Sequence, residues 1–250
     1  MTPAVALLRA KLLPPKTGHY HLRRPRLEDR LAAGLAGRAS LLTAGPGYGK
    51  SSLAARFLQE RGCDSVWYRL DSFDRDPWML FRYLIEGIRQ HVPDFGERSE
   101  NVRESLRSGG GPVERLTDTF IRDAEESLDG QLIVVMDDVH HVADGGEAER
   151  ALRRLLAYLP GTLHLILMGR SLPDLGIASL RADATVQTLV GQDLLFTLEE
   201  TRNLLTQTFG LRATDETVRR IHERTRGWVA ALQLLRQTAL ARGGSPELPE

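Results

Sequence analysis

A single stretch of the chain combines the residue types that bind phosphate groups. Residues 44–52 read AGPGYGKSS and lie between an apolar segment and an amphipathic one, which is the order strand, loop, helix. Glycines let several backbone N–H groups point to one centre, and the start of the following helix adds a positive dipole. Lys50 supplies a mobile cation, and Ser51 offers a hydroxyl ligand to Mg²⁺. The predicted phosphate-binding residues are Gly45, Gly47, Tyr48, Gly49, Lys50, Ser51 and Ser52.

Two adjacent acids directly follow a continuous apolar run, LIVVM at residues 132–136. Such a run indicates a strand buried on both faces of a parallel sheet, and the carboxyl ends of these strands border a ligand crevice. Beside a phosphate loop, Asp137 can hold Mg²⁺ through water, and Asp138 can orient or activate an attacking water molecule. The alternative is a turn with two solvated acids. Because the loop with Lys50 lies upstream, we favour a site for Mg²⁺ and a nucleotide.

Two histidines follow these acids, and an arginine follows the next apolar strand, which is predicted at residues 163–168. Arg170 should emerge at the same sheet edge, where a cation can contact a terminal phosphate and report its presence. The alternative is a surface arginine bonded to helix carbonyl groups, and both interpretations stay open for Arg181. His140 and His141 suggest a metal site, but no cysteine or second histidine pair stands at ligand spacing. We therefore interpret them as loop histidines.

The elements that position these residues alternate between short apolar strands and helices. Strands are predicted at residues 40–43, 65–70, 131–136, 163–168 and 185–190. This order predicts an α/β fold with a mostly parallel sheet flanked by helices, and the loop at 44–52 within it is typical of a P-loop NTPase. Only helical patterns follow residue 191, which predicts a small all-helical subdomain. The polar, glycine-rich segment 93–112 is interpreted as a loop.

The predicted domain boundaries follow from this change of pattern. Residues 1–192 are assigned to a nucleotide-binding domain, whose residues 1–24 form an extended lead-in with several prolines. Residues 193–243 are assigned to a lid-like helical subdomain. Residues 244–250 are expected to be a tail or a truncated linker.

Composition excludes several classes of function. The formal net charge is zero, which argues against a broad electrostatic footprint for nucleic acid or an anionic membrane on this segment. Cys63 is the single cysteine, so no internal disulfide can form and a reducing cytosol fits best. No apolar run approaches the length that spans a membrane. We therefore predict a cytoplasmic protein without a membrane partner.

Short motifs along nearly the whole chain occur in an informative order. They are KLLPP at 11–15, RPRL at 24–27, the phosphate loop, LD at 70–71, DP at 76–77, FRYL at 81–84, MDDVH at 136–140, GRS at 169–171, LR at 180–181, LFT at 195–197 and TRGW at 225–228. In this order they resemble the ATPase module of the STAND signal-transduction NTPases. The resemblance is specifically to the large LuxR-type, maltose-activator-like transcriptional regulators.

The resemblance implies a switch that holds ADP at rest, associates with itself when ATP is bound, and is reset by slow, Mg²⁺-dependent hydrolysis. It also implies that a small-molecule or protein inducer and DNA bind through other domains, the DNA through a C-terminal one. The helical subdomain would close over the nucleotide. By likeness, Lys50 and Ser51 bind phosphate and Mg²⁺, Asp137 holds the metal, Asp138 assists hydrolysis, Arg170 senses the γ-phosphate, and Arg24 and Pro25 border the adenine.

Other interpretations remain. A turnover ATPase of the AAA type would act on DNA or protein partners with fast hydrolysis, and a metabolic kinase would need a base for its acceptor substrate, for which no candidate stands out.

The usual loop pattern begins with Gly where this chain has Ala44. A structural domain that has lost nucleotide binding is disfavoured because Lys50, Ser51, Asp137 and Asp138 are all intact. We expect the chain to be a piece of a longer regulator, with a stand-alone ATPase module as the alternative.

Overall fold

A parallel sheet forms the centre of the protein. The computed structural model describes residues 7–16, 22–109, 112–177 and 185–241. The strands in these residues are β1 (Ala39–Thr43), β2 (Ser65–Arg69), β3 (Leu132–Asp137), β4 (Leu163–Gly169) and β5 (Val186–Val190). They stand in the order β2-β3-β4-β1-β5, and each neighbouring pair is parallel. The predicted α/β fold with a parallel sheet is confirmed.

Helices cover both faces of the sheet. Those up to the end of β4 are α1 (Pro25–Gly34), α2 (Lys50–Arg61), α3 (Pro77–Ile88), α4 (Glu97–Gly109), α5 (Val113–Ser127) and α6 (Glu147–Ala157). Successive residues of a strand point to opposite faces. Val134 therefore packs in the core beneath α3, α5 and α6, whereas Val135 packs in the core beneath α1 and α2. Every residue of β3 and β4 is buried, which explains their continuous apolar runs.

The interpretation of residues 93–112 as a loop is wrong, because most of this segment forms helix α4. The helix has few apolar residues, and polar contacts hold it against α5. The Asp123 carboxylate accepts hydrogen bonds from the backbone N–H of Ser99 at 3.0 Å and from its hydroxyl at 2.6 Å. Glu97 and Glu100 lie in the first turn, where acids interact favourably with the helix dipole. A helix of this kind has too weak an apolar period to be recognised from the sequence.

The lead-in is not extended throughout its described part, since Arg9–Leu12 forms a 3₁₀-helical turn. Lys11 in this turn is buried, and its ammonium group forms ion pairs with Asp74 and, at 3.1 Å, with Asp71. The same ammonium group lies 4.6 Å from the centre of the Tyr83 ring. The lead-in is thus attached to the edge of the sheet at β2 and to the turn that follows it.

The described chain after β5 is largely helical, as predicted. Its helices are α7 (Gly191–Leu194), α8 (Leu198–Asn203, continued by a π-helical turn at Leu204–Thr208), α9 (Asp215–Thr225) and α10 (Val229–Ala241). They enclose two small apolar clusters, one around Phe196 and Leu232 and one around Leu205 and Val218. The boundary between residues 192 and 193 stays a prediction. Arg181 and the expected tail at 244–250 lie outside the described residues.

Across the ranges that the structure describes, none of the helices combines the length and the apolar character needed to cross a lipid bilayer.

The junction between α9 and α10 depends on a glycine. Gly227 has φ +71°, and a Cβ atom there would collide with the carbonyl group of Phe196, whose N–H donates a 2.9 Å hydrogen bond to the Gly227 carbonyl oxygen. We expect Gly227→Ala to lower the free energy of unfolding by more than about 2 kcal/mol, from backbone strain plus the collision. Urea denaturation followed by circular dichroism measures this loss.

Gly62 is the matched control for this substitution. Its φ is +61°, but a Cβ atom there would meet no heavy atom within 4 Å. Gly62→Ala should therefore show the backbone strain alone, about 1 kcal/mol. Equal losses for the two variants would mean that the contact with Phe196 contributes nothing.

Candidate nucleotide-binding site

The phosphate loop connects β1, in the middle of the sheet, to the start of α2. Lys50 is the first residue of α2, and its ammonium group donates hydrogen bonds to the carbonyl oxygens of Ala44 at 2.8 Å and Gly45 at 3.0 Å. Burial lowers the pKa of Lys50, and the nearby carboxylates of Asp137 and Asp138 oppose this shift. The cation therefore lies inside the loop, within electrostatic reach of both acids.

The two acids lie at the end of β3. Asp137 is buried, and its carboxylate accepts a hydrogen bond from the Ser51 hydroxyl. Burial raises the pKa of Asp137, while this hydrogen bond opposes the rise. Asp138 differs in two respects, because its side chain is 40% exposed and its backbone has the left-handed conformation, with φ 60°. A residue other than glycine in this conformation is strained by about 1–2 kcal/mol, a condition that is common at functional sites.

Arg170 follows β4, which lies between β1 and β3 in the sheet. It is exposed, and its charge lowers the pKa of Lys50, so the two cations lie near each other. The phosphate loop, the arginine and the acids thus follow the carboxyl ends of three neighbouring parallel strands, β1, β4 and β3, and lie at one edge of the sheet. The side chains brought together there are Lys50, Ser51, Asp137, Asp138 and Arg170.

A cavity of about 450 Å³ adjoins the phosphate loop. Gly47, Gly49 and Ser52 border it on the loop side, and Arg24 borders it from the start of α1. Pro25 is the first residue of α1 and is not among the residues that line the cavity. Most of the wall is apolar, and it includes Leu22, Leu53, Phe196, Leu204, Val229 and Leu234. A volume and lining of this kind suit a planar organic group with a few polar contacts.

Arg24 connects this cavity with the helical segment. Its guanidinium group donates to the carbonyl oxygens of Leu194 at 2.9 Å and Leu195 at 2.8 Å, and to the Glu200 carboxylate at 2.9 Å. It also lies 4.1 Å from the centre of the Phe196 ring. Burial lowers the pKa of Arg24, and Glu200 opposes the shift. The sequence placed Arg24 at the site through a resemblance only, and the pairing with Glu200 was missed.

The sequence also missed the contact between the phosphate loop and α10. The Ala230 N–H donates to the Gly47 carbonyl oxygen at 3.2 Å, and the rings of Tyr48 and Trp228 lie 6.5 Å apart. Gly47 has φ +73°, and a Cβ atom there would lie 2.7 Å from the Ala230 side chain, so only glycine fits. Residues 47 and 230 are far apart in the chain, so no local sequence pattern signals this contact.

The donor set at the acids fits a magnesium ion. The Ser51 hydroxyl and the Asp137 carboxylate are adjacent oxygen groups, and Mg²⁺ in nucleotide sites takes one or two protein oxygens together with phosphates and water. Throughout the described segments, no three or more histidine, cysteine or acidic residues stand together as a metal site. His140 and His141 lie in a 3₁₀-helical turn, Val139–Val142, with their rings 4.4 Å apart.

Comparison by sequence relates the chain to longer proteins. No family model matches it. It is 28% identical over 226 residues to the HTH-type transcriptional regulator MalT of Vibrio cholerae, covering 90% of this chain and 24% of the relative. It is 31% identical over 228 residues to the serine/threonine-protein kinase PknK of Mycobacterium tuberculosis, covering 90% of this chain and 20% of the relative. The chain thus spans a quarter or less of the length of these relatives.

Comparison by structure agrees with this relation at the level of the fold. A STAND signal-transduction ATPase with a tetratricopeptide-repeat sensor from Pyrococcus horikoshii matches with a TM-score of 0.64 and 20% identity, over 90% of this chain and 31% of that one. A Walker-type ATPase of Pyrococcus abyssi matches with a TM-score of 0.51 and 16% identity, over 92% of this chain and 73% of that one. The chain therefore has the P-loop NTPase fold found in STAND proteins and is a homologue of part of the MalT-type transcriptional regulators.

Proposed function

We propose that the protein is an ATP/ADP-dependent switch, the regulatory module of a longer transcriptional activator, and that it hydrolyses ATP slowly with Mg²⁺. The observation that carries the proposal is the convergence of Lys50, Ser51, Asp137 and Asp138 at one sheet edge, beside a cavity that the helical segment borders. In this proposal the edge binds the phosphates and the cavity binds the base.

Each side chain at the edge has a role that suits its surroundings. Lys50 and the loop N–H groups bind the phosphates, while Ser51 and the buried Asp137 hold Mg²⁺, which neutralises charge on the terminal phosphates. Asp138 is exposed enough to reach a solvent water and orients it for attack on the γ-phosphorus atom. Arg170, exposed at the end of β4, contacts the γ-phosphate and distinguishes ATP from ADP.

Contacts between the helical segment and the loop support a switch rather than a rapidly cycling enzyme. The bond from Ala230 to Gly47 and the contacts of Arg24 with Leu194, Leu195 and Glu200 close the cavity on the side of the helices. Release of a nucleotide then requires these contacts to open, which favours long retention. The base, in this proposal adenine, is bordered by Arg24, which lines the cavity. Pro25 does not line the cavity, and its role is to start α1 directly after Arg24.

The relatives support a regulatory role for the module within larger proteins. One kind is named as an HTH-type transcriptional regulator and the other as a protein kinase, although both match the same share of this chain. A nucleotide-controlled module is the simplest function that the two can share. For the longer regulator we further propose that the module associates with itself when ATP is bound. An inducer and DNA bind through other domains.

The test begins with nucleotide identification. Purified protein is denatured, and the released nucleotide is separated by chromatography; we expect ADP close to one molecule per chain. Hydrolysis of ATP with Mg²⁺ should be far slower than the typical enzyme turnover of about 10 s⁻¹, and DNA should not accelerate it. Fast hydrolysis that DNA stimulates would favour a turnover ATPase. No binding of ATP or ADP in the presence of Mg²⁺ would exclude both functions.

A further inference from the structure

We propose that His140 is a positioning residue for hydrolysis: its imidazole Nδ1–H holds the Asp138 carboxylate in the orientation that aligns the attacking water. This inference rests on the proposed function, because it assigns an additional residue to the same site. No role of this kind follows from the sequence, in which His140 was interpreted as a loop histidine.

The first observation is the isolation of one nitrogen. The Nδ1 atom of His140 is buried and has no hydrogen-bond partner in the part of the chain that the structure describes. A buried polar atom without a partner is rare in folded proteins and energetically unfavourable. Such an atom beside a reaction site calls for a partner that approaches during function.

The second observation identifies that partner. Nδ1 lies 3.8 Å from the Oδ1 atom of Asp138, less than about 1 Å beyond the range of a hydrogen bond. Catalytic hydrogen bonds are often long in the absence of substrate and shorten in the substrate complex. A rotation of the half-exposed Asp138 side chain is sufficient to close the gap.

The backbone makes this approach specific. Asp138 has the strained left-handed conformation, and its carbonyl oxygen accepts a 3.0 Å hydrogen bond from the His141 N–H. The 3₁₀-helical turn Val139–Val142 therefore starts directly at Asp138, and it packs against β4, the strand that delivers Arg170. The Asp138 carboxylate and the His140 ring are thus held on one rigid turn, and only their side-chain torsions remain to be adjusted.

The charge state of the imidazole is compatible with this role. The titratable and charged groups around His140 are His141, Asp138, Arg170 and Lys50. Burial lowers the pKa of His140, as do His141, Arg170 and Lys50, while Asp138 opposes the shift. A neutral imidazole has one N–H group, and an ionised carboxylate only accepts hydrogen bonds, so the tautomer with the proton on Nδ1 satisfies both. No proton is transferred in this role.

The inference is tested by a set of substitutions read in single-turnover ATP hydrolysis and in equilibrium ATP binding. His140 does not line the cavity, so we expect His140→Ala to slow hydrolysis at least about tenfold with unchanged affinity. His140→Asn retains a donor near the position of Nδ1 and should restore much of the rate, whereas His140→Gln places its donor elsewhere and should not. His141→Ala is the matched control, since it removes the neighbouring ring that contacts His140 and should leave the rate near that of the wild type.

Two further measurements separate positioning from packing. In an Asp138→Asn background, His140→Ala should have no additional effect, because the two residues act as one unit. In ¹⁵N-histidine NMR spectra of the nucleotide-loaded protein, the His140 ring should be neutral and protonated at Nδ1, and Asp138→Ala should change its Nδ1 shift. Unfolding curves confirm that each variant is folded.

The inference fails if His140→Ala hydrolyses ATP at the wild-type rate, if His140→Asn is as slow as His140→Ala, or if His141→Ala is equally slow. It also fails if the ring carries its proton on Nε2. A wild-type protein that binds nucleotide but hydrolyses none overturns both the inference and the hydrolysis part of the proposed function. If the wild type hydrolyses ATP and substitution of His140 does not change the rate, only the inference is overturned.

Discussion

Replacing Lys50 with alanine is expected to lower the affinity for ATP and ADP by at least about 100-fold, equivalent to about 2.7 kcal/mol. Charge-assisted hydrogen bonds to phosphate are about twice as strong as neutral ones, and no second lysine is placed to replace this one. Of the other lysines, Lys11 is paired with Asp71 and Asp74 beside strand β2, and Lys16 lies on the surface. Isothermal titration and analysis of the nucleotide that copurifies with each variant measure the effect.

Two controls define what the loss means. Lys50→Met keeps most of the buried aliphatic stem and removes the charge, so it should lose affinity to the same extent as Lys50→Ala. Lys16→Ala removes an exposed lysine and should bind nucleotide like the wild type. If the methionine variant retains its nucleotide, the ammonium group does not bind phosphate and the proposed site is incorrect.

Replacing Asp74 with alanine is expected to lower the free energy of unfolding by about 3–5 kcal/mol, the range for breaking a buried ion pair. Asp74 is fully buried, and its carboxylate accepts hydrogen bonds from the Tyr68 hydroxyl at 2.6 Å and the Asp71 N–H at 2.7 Å. Without it, the buried ammonium group of Lys11 loses one of its two ion-pair partners, and the Tyr68 hydroxyl loses its acceptor. Urea denaturation measures the loss.

A second substitution should recover part of this stability. Lys11→Met removes the uncompensated charge while it fills a similar volume, so the double variant should be more stable than Asp74→Ala alone. Losses that simply add up would show that the two residues do not interact. Nucleotide affinity serves as an internal control, because Asp74 is not among the residues that line the cavity.

The sheet and the convergence of the candidate site residues could be predicted because their signals are local. The run at 132–136 is apolar at every position since both faces of β3 are covered. The glycine-rich sequence at 44–52 itself predicts the conformation of the loop. The convergence of Lys50 with Asp137 then follows from the parallel order of the strands. Physical rules for α/β sheets are sufficient for this step.

The features that escaped prediction depend on contacts between distant segments. Helix α4 is held through Asp123, and the burial of Lys11 depends on Asp74 and Asp71. Charged residues are seldom fully buried without a partner, so nothing in the lead-in itself indicated that Lys11 is inside. The pairing of Arg24 with Glu200 joins residues 176 positions apart, which no local pattern reveals.

The hydrogen bond between Ala230 and Gly47 has a mechanical consequence. Helix α10 starts on the phosphate loop itself, so a swing of this helix about its first turn either displaces the Gly47 carbonyl group or breaks the bond that it accepts. The tilt of helix α10 and the conformation of the phosphate loop therefore change together. A force on α10 is therefore transmitted directly to the phosphate loop, without passing through the sheet.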